Sequence, residues 1–214
     1  MYTDALVNGA YIVASALFIF CLKGLAHPRT AVRGNLLGAA GMVLAVGVAL
    51  IGRPSYWYIG IGVAVGTAAG AVLALKVRMT AMPQFVALFN GFGGAASVLV
   101  AGCDLMHNPQ SGIDVHVAVA ASGIIGAVTF WGSLVAYAKL QEYSWIKRPF
   151  PVPAQQAVNA ALAILTLLLS AALVYTEWGW IYLPLVLLAS ILGLLLVNPI
   201  GGADMPVVIA LLNS

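Results

Sequence analysis

Long apolar segments alternate with short polar connections along the whole chain. Seven of the apolar segments are long enough to cross a hydrocarbon core of about 30 Å as helices. They cover approximately residues 5–22, 34–52, 57–75, 82–103, 115–138, 155–175 and 178–197. An eighth, over 200–214, is expected to be an incomplete helix. Because no connection is long enough for a soluble domain, the pattern predicts one all-α, polytopic transmembrane helix bundle over residues 1–214.

The composition agrees with a membrane protein. Of the 214 residues, 63% are hydrophobic and only 7% are charged, and the mean hydropathy is +1.04. Soluble domains carry about 25% charged residues. The net charge of +3 does not indicate a nucleic-acid partner, because the basic residues are too dispersed along the chain to form a patch.

The basic residues predict the orientation in the membrane. Alternate connections carry eight of the nine: Lys23, Arg29, Arg33, Lys76, Arg78, Lys139, Lys147 and Arg148. The other side carries only Arg53. Since short cytoplasmic loops are enriched in Lys and Arg, we expect the N-terminus outside and these loops in the cytoplasm. The N-terminal region lacks the Arg- and Ser-rich character of a transit peptide, which favours a bacterial inner membrane.

Glycines recur at spacings that allow helices to approach closely. Gly62, Gly66 and Gly70 lie four residues apart, and the motif NGFGG contains Gly93 and Gly94. Small residues of this kind line most interfaces between membrane helices. We predict helix packing at these five positions and at the pair Gly201 and Gly202.

Two apparent motifs carry little weight. NGFGG lacks the strand–turn–helix context of a phosphate-binding loop. The connection CDLMHNPQSGIDVH contains Asp104, His107, Asp114 and His116, but nothing in their spacing defines a coordination geometry. A solvated external turn explains this connection, so no metal site is predicted.

The polar groups inside the apolar segments are stronger candidates, because an ionisable residue there is costly and usually functional. Asn90 lies roughly 10 Å and Asp204 roughly 7 Å into their helices from the cytoplasmic end, so both are expected to border one cavity. Asn213 lies deeper. GGADMP is also a helix-start pattern, in which Asp204 caps the helix and Pro206 occupies its first turn. The cap and a proton-handling role for Asp204 remain open alternatives.

Four segments together resemble a known family. They are GGADMPVVIALLNS (201–214), GAVTFWGSLVAYAKL (126–140), MPQFVALFNGFGGAASVLVA (82–101) and RGNLLGAAGM (33–42). In order and content they resemble the membrane portion of the beta subunit of the proton-translocating NAD(P) transhydrogenase. The resemblance extends over essentially the whole chain, and GGADMPVV is its most specific element.

The resemblance implies proton conduction coupled to hydride transfer from NADH to NADP in cytoplasmic domains. It implies that these residues bind no cofactor. It also implies that the family's last membrane helix and its NADP(H)-binding domain lie beyond the part represented by these residues. The implied partners are the alpha subunit or subunits, that NADP(H)-binding domain, the bilayer and a second complex in a dimer. The implied proton-path and coupling residues are Asp204, Asn90 and Asn213.

Asn90 departs from the pattern of the family, which often has a membrane histidine at this position. Asparagine cannot titrate, so we expect a membrane helix of a partner subunit to supply the histidine beside it. Nine residues at about 100° each also place Asp204 and Asn213 on opposite sides of an ideal helix.

Two other functions fit parts of the sequence. A small-ion or small-solute transporter would need several polar mid-membrane residues or an inverted repeat of broken helices, and neither is evident. A non-catalytic membrane scaffold would need only the glycine-rich helices.

Overall fold

The computed structural model describes residues 2–51, 55–144, 146 and 149–213, and the side chains of residues 2–4 and 213 are not described. Eight α-helices occur in these residues: α1 (Tyr2–Leu25), α2 (Ala31–Ala49), α3 (Trp57–Lys76), α4 (Met82–His107), α5 (Ile113–Leu140), α6 (Gln155–Thr176), α7 (Tyr182–Val197) and α8 (Met205–Asn213). Seven helical segments are long and apolar enough to span a membrane, and the eighth is shorter. The predicted all-α architecture of seven spans and a short eighth is therefore confirmed. Arg53, Lys147 and Arg148, which were counted for the predicted orientation, lie outside the described residues.

The helices extend beyond several of the apolar blocks. Helix α4 continues to His107 and α2 begins at Ala31. Short 3-10 turns precede three helices, at Met79–Ala81 before α4, Gly179–Ile181 before α7 and Gly202–Asp204 before α8. Backbone groups in lipid must be hydrogen-bonded within the segment, so helical bonding continues past the point where the side chains become polar.

The chain divides into two compact units, residues 1–72 and 73–214. In the first unit, α1 and α2 form an antiparallel pair through glycines. A Cβ on Gly24 would lie 2.6 Å from Gly34 Cα, and one on Gly38 would lie 2.6 Å from Cys21 Sγ. Only glycine permits the approach of the two backbones at Gly24 and Gly34, and small residues of this kind support helix association in lipid.

Helix α5 forms the centre of the second unit. It contacts α4, α6, α7 and α8, and its buried residues extend from His116 to Lys139. Glycines at its crossings admit its neighbours: a Cβ on Gly193 of α7 would lie 2.7 Å from the carbonyl oxygen of Val128 on α5. Two apolar clusters flank this helix, one around Leu173 and Leu185 and the other around Met205.

Tyr182 links three helices of the second unit. Its ring lies between two glycine positions, because a Cβ on Gly123 of α5 would lie 2.7 Å from the ring and one on Gly102 of α4 would lie 3.0 Å from it. Its hydroxyl donates a hydrogen bond to the Val98 carbonyl oxygen at 2.7 Å. The start of α7 is thereby fixed against α4 and α5.

Candidate functional site

A groove of about 610 Å³ lies between α4 and α5. Apolar side chains such as Val86, Phe89 and Ile125 form part of its wall. The polar lining residues are Asn90, Ser97, Ser122 and Thr129. The groove therefore provides a line of hydroxyl and amide groups along two otherwise apolar helices.

Asn90 is connected across the groove to α5. Its Nδ2 donates a hydrogen bond to Ser133 Oγ at 3.0 Å, and Ser133 is fully buried. The short serine side chain can reach because the two helices are close here: a Cβ on Gly91 would lie 3.3 Å from Ser133 Cβ. The hydrogen bond fixes the Asn90 amide at the edge of the groove.

The two adjacent glycines of NGFGG have different environments. A Cβ on Gly94 would lie 2.5 Å from the Gly126 carbonyl oxygen and 2.9 Å from the Phe130 backbone nitrogen. A Cβ on Gly93 would meet no described atom within 4 Å, and Gly93 lines the groove. Gly94 therefore sets the helix separation, whereas Gly93 leaves the groove open.

The other predicted packing glycines make fewer contacts among the described residues. A Cβ on Gly202 would lie 3.6 Å from the Lys139 carbonyl oxygen. Cβ atoms on Gly62, Gly66, Gly70 and Gly201 would meet no described atom within 4 Å. Packing at these four positions stays a prediction.

Thr129 connects the groove to α8. It is 7% exposed, and its Oγ1 donates to the Leu212 carbonyl oxygen at 3.4 Å. Gly132 lies one turn further along α5 and admits the Leu212 side chain, which would lie 3.0 Å from a Cβ there. The far end of α8 thus packs beside the residues that line the groove.

Asp204 lies in the 3-10 turn immediately before α8 and is exposed. Its backbone N–H donates to the Gly201 carbonyl oxygen at 3.1 Å. Among the described residues, the groove lining includes Asn90 but not Asp204. The cavity shared by these two residues therefore stays a prediction, and the side chain of Asn213 lies outside the described part of the chain.

The structure adds one residue that the sequence analysis treated only as a topology signal. Lys139 is 6% exposed. Its Nζ donates hydrogen bonds to the carbonyl oxygens of Val197 at 3.0 Å, Ile200 at 2.7 Å and Asn198. A lysine at the end of an apolar helix looks the same in a sequence whether it faces water or a neighbouring helix, so no sequence signal distinguished it.

Asn198 adds a second polar link at the same place. Its Nδ2 donates to the Phe150 carbonyl oxygen at 3.0 Å, and the Phe150 N–H donates to its Oδ1 at 2.9 Å. Asn198 is 5% exposed. This paired hydrogen bond fixes part of the connection between α5 and α6 to the end of α7.

The connection between α4 and α5 provides no candidate metal centre among the described residues. No group of three or more potential His, Cys, Asp or Glu ligands occurs within the described residues. His116 is 1% exposed, and its Nδ1 lies 3.2 Å from the Gly112 carbonyl oxygen. The histidine is thus packed in the first turn of α5.

Comparisons with known proteins identify a similar family. A family model described as the NAD(P) transhydrogenase beta subunit matches residues 7–214. Two curated Rhodospirillum rubrum proteins, one of them from strain ATCC 11170, are named NAD(P) transhydrogenase subunit beta, and each is 43% identical over 223 residues. The alignment covers 99% of this chain and 48% of each relative. The chain thus spans about half the length of the curated relatives it matches.

Proposed function

Because the chain belongs to the NAD(P) transhydrogenase beta-subunit family, we propose that it forms the proton-conducting membrane part of that enzyme. In this proposal, proton movement across a bacterial inner membrane drives hydride transfer from NADH to NADP in domains outside the lipid. The described membrane residues bind neither nucleotide. The N-terminus lies outside, as the distribution of Lys and Arg indicates.

One observation supports this function best. The groove between α4 and α5 is lined by Asn90, Ser97, Ser122 and Thr129 among apolar side chains, and a hydrogen bond to the buried Ser133 hydroxyl holds the Asn90 amide in place. Polar groups cost free energy inside a membrane, and those that occur there usually mark pathways or binding sites. Water or a partner's side chain in the groove would find donors and acceptors on both walls.

Neither Asn90 nor Ser133 exchanges a proton near neutral pH, so the titrating group comes from elsewhere. We propose a histidine on a membrane helix of an alpha-side partner subunit. The groove is open on one side and Gly93 leaves room there. An imidazole in the groove would be within reach of the Asn90 amide, and histidine is the side chain whose ordinary pKa suits proton exchange.

Asp204 and Asn213 are the proposed coupling residues, one in the turn just before α8 and the other nine residues further along the chain. Asp204 is exposed just before the helix, so its carboxylate is available to a nucleotide-binding domain outside the membrane. Thr129 holds the other end of α8 beside the groove. A change in protonation in the groove therefore has a short mechanical route through α8 to Asp204, which is coupling between two sites.

The free energies are sufficient for this role. Moving one elementary charge through 100 mV is worth about 2.3 kcal/mol. A difference of that size shifts an equilibrium by more than about tenfold. NADH and NADPH differ little as hydride donors, so the proton path is able to poise a nearly balanced reaction towards NADPH. The family further suggests a dimer of whole complexes.

The decisive experiment measures proton movement and hydride transfer together in the complete complex in liposomes. Asp204→Asn is expected to reduce proton-coupled turnover more than it reduces the amount of assembled complex. Asp114→Asn is the matched control, because Asp114 is an exposed carboxylate in the first turn of α5. Full coupling in Asp204→Asn would reduce Asp204 to a helix-start residue and refute its proposed role.

The groove is tested separately. Asn90→Leu is expected to slow proton movement, whereas Ser190→Ala is not, because among the described residues Ser190 bonds only the Val186 carbonyl oxygen of its own helix. Each membrane histidine of the partner subunit is then replaced in turn. Unchanged proton uptake after all of these replacements would eliminate the shared path.

A further inference from the structure

Lys139 is a buried cation that the proposed mechanism does not use. An ammonium group has three donor hydrogens, and the three hydrogen bonds to Val197, Asn198 and Ile200 account for all of them. Within the described residues its partners are backbone carbonyls rather than a carboxylate. A buried charge is retained only where its hydrogen bonds are satisfied, so this geometry is specific.

Lys139 binds carbonyls at the end of α7 and in the turn that follows it, and the Val197 carbonyl also accepts a hydrogen bond from the Ile200 N–H at 3.3 Å. Val197 is the last residue of α7, and the final carbonyls of a helix have no intrahelical partner. Pro199 has no N–H and cannot bond to the carbonyl four residues earlier. The Gln155 side chain serves that carbonyl instead, with Nε2 2.7 Å from the Leu195 oxygen. Two side chains from different helices therefore cap one helix end.

Only one of these two caps extends to the turn that carries Asp204. Lys139 binds Ile200, which is followed directly by Gly201 and Gly202. The Lys139 carbonyl oxygen also lies 3.6 Å from the position of a Cβ on Gly202. Glycine permits many backbone conformations, so two adjacent glycines do not by themselves determine where the turn lies. The contacts with Lys139 supply that constraint.

We propose that Lys139 is the positioning residue for the Asp204 turn: it fixes the end of α7 and Ile200, and thereby the place from which Asp204 projects. The part of this proposal that concerns coupling rests on the proposed function of Asp204. The part that concerns the position of the turn does not. The two parts are tested by different measurements.

The first measurement is the mobility of a spin label at Ala203, which is exposed. The label is attached in the complete complex through Ala203→Cys after Cys21 and Cys103 have been replaced by alanine. Lys139→Met keeps an unbranched side chain but removes the donors. Because the turn then becomes more mobile, the electron paramagnetic resonance spectrum of the label is expected to become narrower. Lys139→Arg keeps a charged donor and is expected to restore much of the broadening.

Gln155→Leu is the matched control, because it removes the other side-chain cap of α7 without touching Ile200 or the glycines. It is expected to leave the spectrum unchanged. Assembly of each variant is checked first, and if Lys139→Met does not assemble, Lys139→Gln replaces it. The positioning role is overturned if the Lys139 variant, Met or Gln, leaves the spectrum unchanged. It is also overturned if Gln155→Leu changes the spectrum as much as the Lys139 variant does.

The second measurement is a double-variant cycle on proton-coupled turnover in the same complex. Lys139→Met is expected to lower kcat by about tenfold, within the range measured for coupled sites. When Lys139→Met is added to Asp204→Asn, kcat is expected to fall by less than about threefold further, because the effects of residues that act through each other are not additive. A multiplicative loss in the double variant overturns the coupling part.

The failures are distinguishable. If Asp204→Asn leaves coupling intact, the proposed function of Asp204 fails and the coupling part of this proposal fails with it. The spin-label result still decides whether Lys139 positions the turn.

Discussion

Replacing one glycine of the NGFGG motif is expected to separate α4 from α5, whereas replacing its neighbour is not. In Gly94→Ala the new methyl group would lie 2.5 Å from the Gly126 carbonyl oxygen and 2.9 Å from the Phe130 nitrogen. Both contacts involve backbone atoms, so no side-chain rotation relieves them. The helices must move apart by about 1 Å to reach an ordinary van der Waals distance of about 3.5 Å.

The magnitude follows from two opposing effects. Overpacking costs about 1–3 kcal/mol, and we expect the upper end because the obstructing atoms are backbone. Alanine recovers about 1 kcal/mol of helix propensity relative to glycine. The net destabilisation of Gly94→Ala is then about 2 kcal/mol, which lowers the unfolding midpoint of a protein of this size by about 4–8 °C.

Gly93→Ala provides the matched control on the same helix. No described atom lies within 4 Å of its new methyl group, so only the propensity gain of about 1 kcal/mol remains. The assay is thermal unfolding of the purified protein in detergent, followed by tryptophan fluorescence. Equal midpoints for Gly94→Ala and Gly93→Ala would refute the inferred contact between the two helix backbones.

Three further changes test other contacts. Asn198→Leu removes both hydrogen bonds to the Phe150 backbone; at about 0.5–1.5 kcal/mol for each bond, we expect faster proteolysis between α5 and α6, and an unchanged rate would count against the link. Tyr182→Phe keeps the ring but loses the hydrogen bond to Val98, so stability measured by thermal unfolding is expected to fall by about 1 kcal/mol, and an unaltered midpoint would show that the ring alone holds α7. Trp178, which is exposed beside the start of α7, is expected to lie at the membrane interface. In a variant whose other tryptophans are replaced by phenylalanine, its fluorescence is expected to be quenched most by lipids brominated near the headgroups. Strongest quenching by lipids brominated near the bilayer centre would contradict this.

The glycine patterns show how much of the helix packing can be predicted from residue spacing. Four-residue spacing predicted packing at Gly62, Gly66 and Gly70, yet the described residues give these positions no close neighbour. Packing was predicted at both Gly93 and Gly94, but among the described residues only a Cβ on Gly94 would meet another helix. Spacing identifies a surface on which an approach is possible, but contact also requires a second helix at that height and rotation.

The polar residues show a similar division. Asn90 stands out in the sequence because an amide is rare within an apolar segment, and the structure places it at the groove. Its partner Ser133 is less distinctive, since serines occur throughout membrane helices and bond either a neighbouring helix or their own backbone. The pairing depends on the α4–α5 crossing, which no local pattern predicts.

The sequence by itself determined that this chain is a bundle of membrane-spanning helices, how many there are and where each lies to within a few residues. It could do so because the length of an apolar segment and the need to satisfy every backbone group in lipid are local requirements. The tertiary structure alone decided which glycine forms a helix crossing, which amide meets which hydroxyl, and that Lys139 is buried at the end of α7 rather than exposed in a loop. Those outcomes depend on the rotation and separation of helices that are distant in the chain, and a lysine carries the same charge in either place.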